Sequence, residues 1–348
     1  MNYDKSMPKK NKKSHSLLKK IVLSFLSAIV LLAACVWLAF QLSPRPFVML
    51  LNAIPQEHPK QPKDFQTVLA KTNSLKNITY LTGKKTGKLQ MDIYYPKKQT
   101  IQGTIIWFHG GGFIGGDKAM LDYWGPSLAS QGYSFVALNY STAPDFHYPV
   151  PLRQANAAYR FLESQTGVNQ VINLKNIIIG GDSAGAQIAS QYAAIQTNSK
   201  LARQMHMKQL IKPSAIKAAL LFCGPYDLKS LSENMPASFR KYVNDIGWAY
   251  IGQKNWQRSA AARQASTVDF VTKKYPATFL TDGNTASFET HARKMIQVLR
   301  RKNIYHESLF FSKSQYGKVN HEYQLDLNTA NGQRCLHRAI HFLKKVVH

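Results

Sequence analysis

Gly181-Asp182-Ser183-Ala184-Gly185 sets a serine between two glycines, where a short apolar run gives way to an alanine-rich one. Glycine on either side permits a turn too tight for side chains, so the hydroxyl stands clear of the preceding strand at the N-terminus of the following helix. A hydroxyl placed there is a candidate nucleophile, and the N–H of Ala184 points at the charge an attacked carbonyl would develop. Earlier in the chain, His109-Gly110-Gly111-Gly112-Phe113 closes another apolar run. Consecutive glycines let backbone approach a ligand and present N–H groups, which makes Gly111 and Gly112 candidate donors beside Ala184. His109 reads as a structural residue that orients this glycine loop. A serine nucleophile also needs a base. His321, in Gly317-Lys318-Val319-Asn320-His321-Glu322-Tyr323, lies in a loop after the last predicted strand and before the last predicted helix. His291, His306, His337 and His341 fall in or beside predicted helices and strands instead.

An acid should hold the base in its tautomer. It is expected after the strand at 277–281, in Thr281-Asp282-Gly283-Asn284-Thr285-Ala286-Ser287-Phe288-Glu289. The usual position, a few residues past the strand end, holds Asn284, Thr285 or Ala286. Asp282 is favoured, Glu289 comes second, and Asp227 in Gly224-Pro225-Tyr226-Asp227 reads more simply as a turn residue. No histidine–carboxylate cluster with ligand spacing occurs, so no metal or other cofactor is expected.

These residues need a scaffold that gathers them. From about residue 76, predicted strands at 89–95, 103–109, 133–140, 176–181, 215–222, 277–281 and 304–311 alternate with predicted helices. The helices fall at 119–131, 151–165, 184–196, 288–302 and 327–346. This alternation predicts an α/β protein, a mostly parallel sheet with helices on both faces. Residues 229–274 break the rhythm and carry Phe239, Tyr242, Trp248, Tyr250 and Trp256, which reads as a helical cap inserted into a domain of 76–348. Residues 41–75, with Pro44, Pro46, Pro55, Pro59 and Pro62, read as a stalk or cap segment.

Residues 1–20 form a basic N-terminus, with Lys5, Lys9, Lys10, Lys12, Lys13, Lys19 and Lys20. Residues 21–40 are uncharged and match the roughly twenty residues a bilayer-spanning helix needs. Lysines ahead of the span place the N-terminus in the cytoplasm and the remainder outside, as a single-pass signal anchor in the cell membrane. A cleaved signal peptide, and a lipoprotein signal at Leu32-Ala33-Ala34-Cys35, are the alternatives. The apolar run continues past Cys35, whereas signal-peptide cores span about 7–15 residues. The net charge of +27 favours anionic surroundings. No nucleic-acid motif accompanies it. An anionic envelope polymer or lipid is therefore the expected partner, not nucleic acid. Cys35, Cys223 and Cys335 supply no disulfide framework.

At HGGGF (109–113), GDSAGA (181–186) and the NHEY loop (320–323) the chain resembles the hormone-sensitive-lipase-like branch of the α/β-hydrolase esterases. Asn139-Tyr140-Ser141-Thr142-Ala143-Pro144 with Tyr148-Pro149 looks like that branch's Y-R-L-A-P…P stretch, and the likeness runs from about residue 88 to the C-terminus. It implies an α/β-hydrolase fold capped by N-terminal and inserted helices. It also implies a carboxylesterase acting on short or medium acyl esters, of small molecules or lipids. The implied nucleophile and base are Ser183 and His321, with Gly111, Gly112 and Ala184 as the oxyanion hole, while Asp282 stays the favoured acid ahead of Glu289. Ser141 stands where the branch often has arginine, Gln154 where it often has aspartate, and a D-x-L-type acid loop is missing. An amidase or peptidase-type hydrolase would use the same machinery. A catalytically inert binding module is the remaining reading, since a fold alone does not prove turnover.

Overall fold

The computed structural model describes residues 12–54, 58–233 and 237–347. Most of the basic N-terminus, residues 1–11, lies outside the described residues. One sheet of eight strands runs in the order β1-β2-β4-β3-β5-β6-β7-β8. The strands are β1 Thr72–Gly83, β2 Gly87–Pro96, β3 Gly103–Phe108, β4 Tyr133–Leu138, β5 Ile177–Asp182, β6 Ile216–Phe222, β7 Ala277–Thr281 and β8 His306–Leu309. β1 and β2 form an antiparallel hairpin, β2 runs antiparallel to β4, and every pairing from β4 to β8 is parallel.

Parallel strands are covered on both faces, so they read as continuous apolar runs. GTIIWF in β3 and YSFVAL in β4 are buried at every position. Alternate residues serve opposite faces. Ile106 and Phe108 join the core beneath α5 (Val150–Ser164) and α7 (Ala184–Thr197). Ile105 and Trp107 join a second core with α4 (Trp124–Ala129) and α13 (Ala330–Val346). The other helices are α1 Lys12–Leu42, α2 Arg45–Asn52, α3 Phe65–Lys71, α6 Thr166–Asn169, α8 Ser199–Gln204, α9 Ala237–Ile251, α10 Ala260–Ala265, α11 Glu289–Arg301 and α12 Lys313–Tyr316. Because the central strands are parallel, the loops after β3, β5, β6, β7 and β8 meet along one edge of the sheet, where open α/β sheets hold ligands.

Three elements differ from the sequence expectation. The helix expected over 119–131 is a short 3₁₀ turn at Lys118–Leu121 followed by α4. A continuous helix would need an N–H from Pro126, whose ring also clashes with the carbonyl one turn back, so the helix restarts at Trp124. The segment 41–75 holds α2, α3 and the start of β1. That strand is long and largely polar, and its zipper-like pairing with β2 was not visible as an apolar run. The insertion 229–274 divides in two. α9 crosses the edge that carries the site, whereas Trp256, Ala262, Ala265 and Val268 are buried in the core under α7.

Ser141 and Gln154, the two departures from the arginine and aspartate usual in the resembling branch, face each other. Ser141 N donates to Gln154 Oε1 at 2.9 Å, and Gln154 Nε2 donates to Ser141 Oγ at 2.7 Å. Both side chains are buried. A reciprocal pair of neutral hydrogen bonds therefore fastens the loop after β4 to α5. Gln154→Leu leaves the Ser141 N–H and hydroxyl buried without partners, a cost of about 1–3 kcal/mol. A urea midpoint lowered accordingly is expected; an unchanged midpoint would show that the pair does not hold the loop.

Candidate active site

Ser183 ends β5 at φ 50° and ψ −120°, a strained conformation that throws its side chain off the strand. The turn has no room for larger flanks. A Cβ on Gly181 would lie 2.4 Å from Gly185 O, and one on Gly185 would lie 2.0 Å from Phe108 O. α7 thus starts pressed against the end of β3, which brings the 109–113 loop beside the serine. Gly111 and Gly112 have φ of +112° and +60°, values that glycine adopts without penalty. Both glycines, with Ser183 and Ala184, line one cavity. Among the described residues no acceptor takes the N–H of Gly111, Gly112 or Ala184. His109 is buried with Nδ1 2.6 Å from Gly110 O, and its ring stacks on Tyr140 at 4.4 Å. It braces the loop from behind; burial pushes its pKa down.

His321 Nε2 lies 2.8 Å from Ser183 Oγ. Its Nδ1 lies 2.7 Å from Ser287 Oγ, and Ser287 Oγ in turn donates to Asp282 Oδ1. Asp282 therefore reaches the histidine through a hydroxyl rather than directly. Donor accounting closes in one direction: Ser183 O–H to Nε2, Nδ1–H to Ser287, Ser287 O–H to the carboxylate. Ser287 was not singled out in the sequence; only the fold sets it between His321 and Asp282. Asn284, in the usual acid position, serves as a clasp. Its Oδ1 accepts from Val319 N at 2.9 Å, and its Nδ2 donates to Phe311 O at 3.1 Å and Gly317 O at 2.9 Å. Thr285 bridges to Asn320. The acid loop and the histidine loop are thereby stitched together, which sets His321 against Ser287.

The other acid candidates lie elsewhere. Glu289 pairs with Arg293 one turn along α11. Asp227 is buried with Ser230, Lys229 and Lys294, the turn role its sequence suggested. His291 accepts from Asp227 N at 3.2 Å. Cys223, Asp282 and His321 each place one ligand atom within 4.8 Å of the others, a donor set suited to a soft divalent ion. In this arrangement Ser287 holds His321 Nδ1 and Gln324 bonds the Cys223 thiol.

A second carboxyl, unmarked in the sequence reading, stands close by. Glu322 hydrogen-bonds Asp182, and its Oε1 lies 3.9 Å from His321 Nε2. Asp182 accepts from Trp107 Nε1 at 2.6 Å and from Gly110 N at 2.7 Å. A buried carboxyl and a half-buried one in contact cannot both ionise. Among the described residues Asp182 has the N–H donors and carries the charge, whereas Glu322 has none, and burial with the charge of Asp182 keeps it protonated. The pair pins Gly110, where a Cβ would lie 2.3 Å from Glu322 Oε1.

The cavity over Ser183 measures about 420 Å³, within the range of small-molecule sites. Leu51, Ile54, Phe113, Phe239, Val243 and Ile246 give it apolar walls, supplied by the α2 region, the glycine loop and α9. A larger, more polar cleft of about 720 Å³ between α3 and α13 holds none of these residues.

The BD-FAE family model matches residues 91–290, more than half of the chain. The chain belongs to the BD-FAE family. Lipase 2 of Moraxella sp. (strain TA144) is similar to this BD-FAE member at 31% identity over 98 residues, 28% of the chain and 22% of that protein. The match thus spans about a fifth of the curated relative's length. Among solved structures, esterase B from Lactobacillus rhamnosis (HN001) superposes with a TM-score of 0.65 at 18% identity, covering 96% of this chain and 97% of that one. An esterase from the bacterial hormone-sensitive lipase family gives a TM-score of 0.59 at 18% identity, covering 88% and 91%. The fold is that of the α/β-hydrolase esterases.

Burial raises the Asp282 carboxyl from its ordinary 3.8 to about 7, against the opposing bond from Ser287. The fold therefore favours the protonated acid: that stabilisation is complete below 3.8 and is lost as pH rises through 7. Asp282→Asn cannot ionise. Its melting temperature is expected to gain steadily on the wild type between pH 4 and 8, and parallel curves across that window would contradict the buried-acid assignment.

Proposed function

We propose that this BD-FAE member is a membrane-anchored serine carboxylesterase acting on short or medium acyl esters. The 2.8 Å contact between Ser183 Oγ and His321 Nε2, beneath three free N–H groups, carries the reading. Ser183 Oγ attacks the ester carbonyl while His321 Nε2 takes its proton, and Gly111, Gly112 and Ala184 hold the oxyanion. His321 returns the proton to the leaving alcohol. It then activates water, which releases the acid from Ser183. Ser287 passes the charge of Asp282 to the imidazolium and fixes its tautomer.

Membrane attachment is supported by α1. Among the described residues it is one helix, over Ser16–Leu42, long and apolar enough to cross a bilayer. Its described side chains are exposed along its length. With the lysine block on its N-terminal side, the catalytic domain faces outward, and its positive charge draws it to anionic envelope polymers and lipids.

Incubation with a fluorophosphonate and with p-nitrophenyl butyrate tests the core of the reading. The wild type is expected to label and turn over, and Ser183→Ala to do neither; a Ser183→Ala protein of full activity would end it. The relay has its own signature. Burial holds the His321 pKa down at about 4, so the acid limb of kcat/KM belongs to Asp282 ionising near pH 7. Asp282→Asn is expected to remove that limb and lower kcat by roughly 10²–10⁴. Ser287→Ala should lower kcat by about tenfold or more with KM little changed, and Ser287→Thr should restore it. Wild-type kcat in Ser287→Ala would mean that Asp282 acts without the relay.

A further inference from the structure

We propose that the pocket opens onto the lipid surface and takes an uncharged acyl ester dissolved in the membrane leaflet, a substrate class that rests on the esterase reading above. α1 ends at Leu42 and α2 begins at Arg45, so only Ser43 and Pro44 separate the membrane-crossing helix from the cap. Three Cα steps keep Arg45 within about 11 Å of Leu42, and the length of α2 adds about 12 Å. Lys254, just past α9, donates to Gln41 O at 2.8 Å and Gln41 Oε1 at 3.1 Å. Both cap helices that wall the pocket are thus held at the end of α1. Phe47 on α2 meets Tyr242 on α9 edge-on at 5.9 Å, and Asn52 Nδ2 donates to Ile114 O at 3.1 Å.

α2 is apolar on both sides. Val48 is buried, and Phe47 and Leu51 pack inward. On the outer side Met49 is 73% exposed and Leu50 61%. A helix apolar all round is a covered helix, and no part of the described chain covers these two residues. Covalent continuity with α1 puts the acyl–headgroup boundary against them, as for helices that lie in the interface plane. Ile54 both lines the pocket and is exposed, so the pocket's rim lies on this same side. Arg45, paired with the exposed Asp145, and Lys254 stand beside it at headgroup depth. Among the described residues no Lys or Arg lines the pocket, so an anionic headgroup finds no partner there, whereas an acyl chain finds apolar walls.

The experiment compares the full-length wild type with the double variant Met49→Asp/Leu50→Asp, reconstituted in phosphatidylcholine–phosphatidylglycerol vesicles. Each is assayed on water-soluble p-nitrophenyl butyrate and on didecanoylglycerol, a medium-chain ester carried in the bilayer. Met49 and Leu50 touch neither the pocket nor the triad. The variant should keep kcat/KM on the butyrate within about twofold and lose about tenfold or more on the bilayer ester. Equal activity of both proteins on both esters overturns the proposal, as does equal loss on both or a wild type that cleaves only the butyrate. Each of those outcomes leaves the esterase reading intact. A wild type that cleaves neither ester and takes no fluorophosphonate on Ser183 removes the esterase reading and this proposal with it.

Discussion

The approach of α7 to the end of β3 governs the whole arrangement. Gly185 passes so near Phe108 O that not even a methyl group fits. This contact fixes where the helix after Ser183 begins, and so where its N–H groups point. It also delivers the glycine loop that follows β3 to the same spot. A hydroxyl, two sets of backbone donors and a histidine from a distant loop converge there because parallel strands end along one edge. The strain at Ser183 is held by packing on both sides of the sheet, since β5 and α7 are buried throughout.

Around that point the chain buries more carboxyl than its fold wants. Asp282 and the Asp182–Glu322 pair all sit without full compensation. One oxygen of Asp282 has no hydrogen-bond partner, and Asp182 is pushed up to about 6 by burial. Such groups cost a fold stability and gather where a site uses them. Here one carboxyl reaches the histidine through Ser287, and the other two brace the glycine loop by sharing a proton. The neutral Ser141–Gln154 pair shows the reverse choice, since that position dispenses with charge altogether.

The cap joins this chemistry to the N-terminal helix. α2 and α9 wall the cavity from above, and α2 follows α1 after two residues. A cap on a flexible tether would let α2 and α9 move independently of α1. A short tether, an outward apolar face and a lysine bond to the end of α1 leave it little freedom.

The α/β alternation, the serine turn, the glycine loop, the histidine loop and the apolar N-terminal run were legible in the chain. Each is a local pattern: a period of burial, or a turn that glycine alone permits. The boundaries followed as far as local rules reach, and failed at Pro126, where one missing N–H splits a helix, and at β1, whose polar face hides its pairing. Asp282 could be favoured from its place after β7. That it contacts His321 through Ser287, that Asn284 stitches two loops, and that Glu322 hydrogen-bonds Asp182 depend on contacts between segments far apart in sequence. Hydrogen-bond geometry and desolvation are properties of the assembled interior, where distances of tenths of an ångström and the exclusion of water decide which polar group answers which. The sequence by itself determined the residue types at the site and their order along the sheet; only the tertiary structure decided how Asp282 meets His321 through Ser287 and which helices wall the pocket.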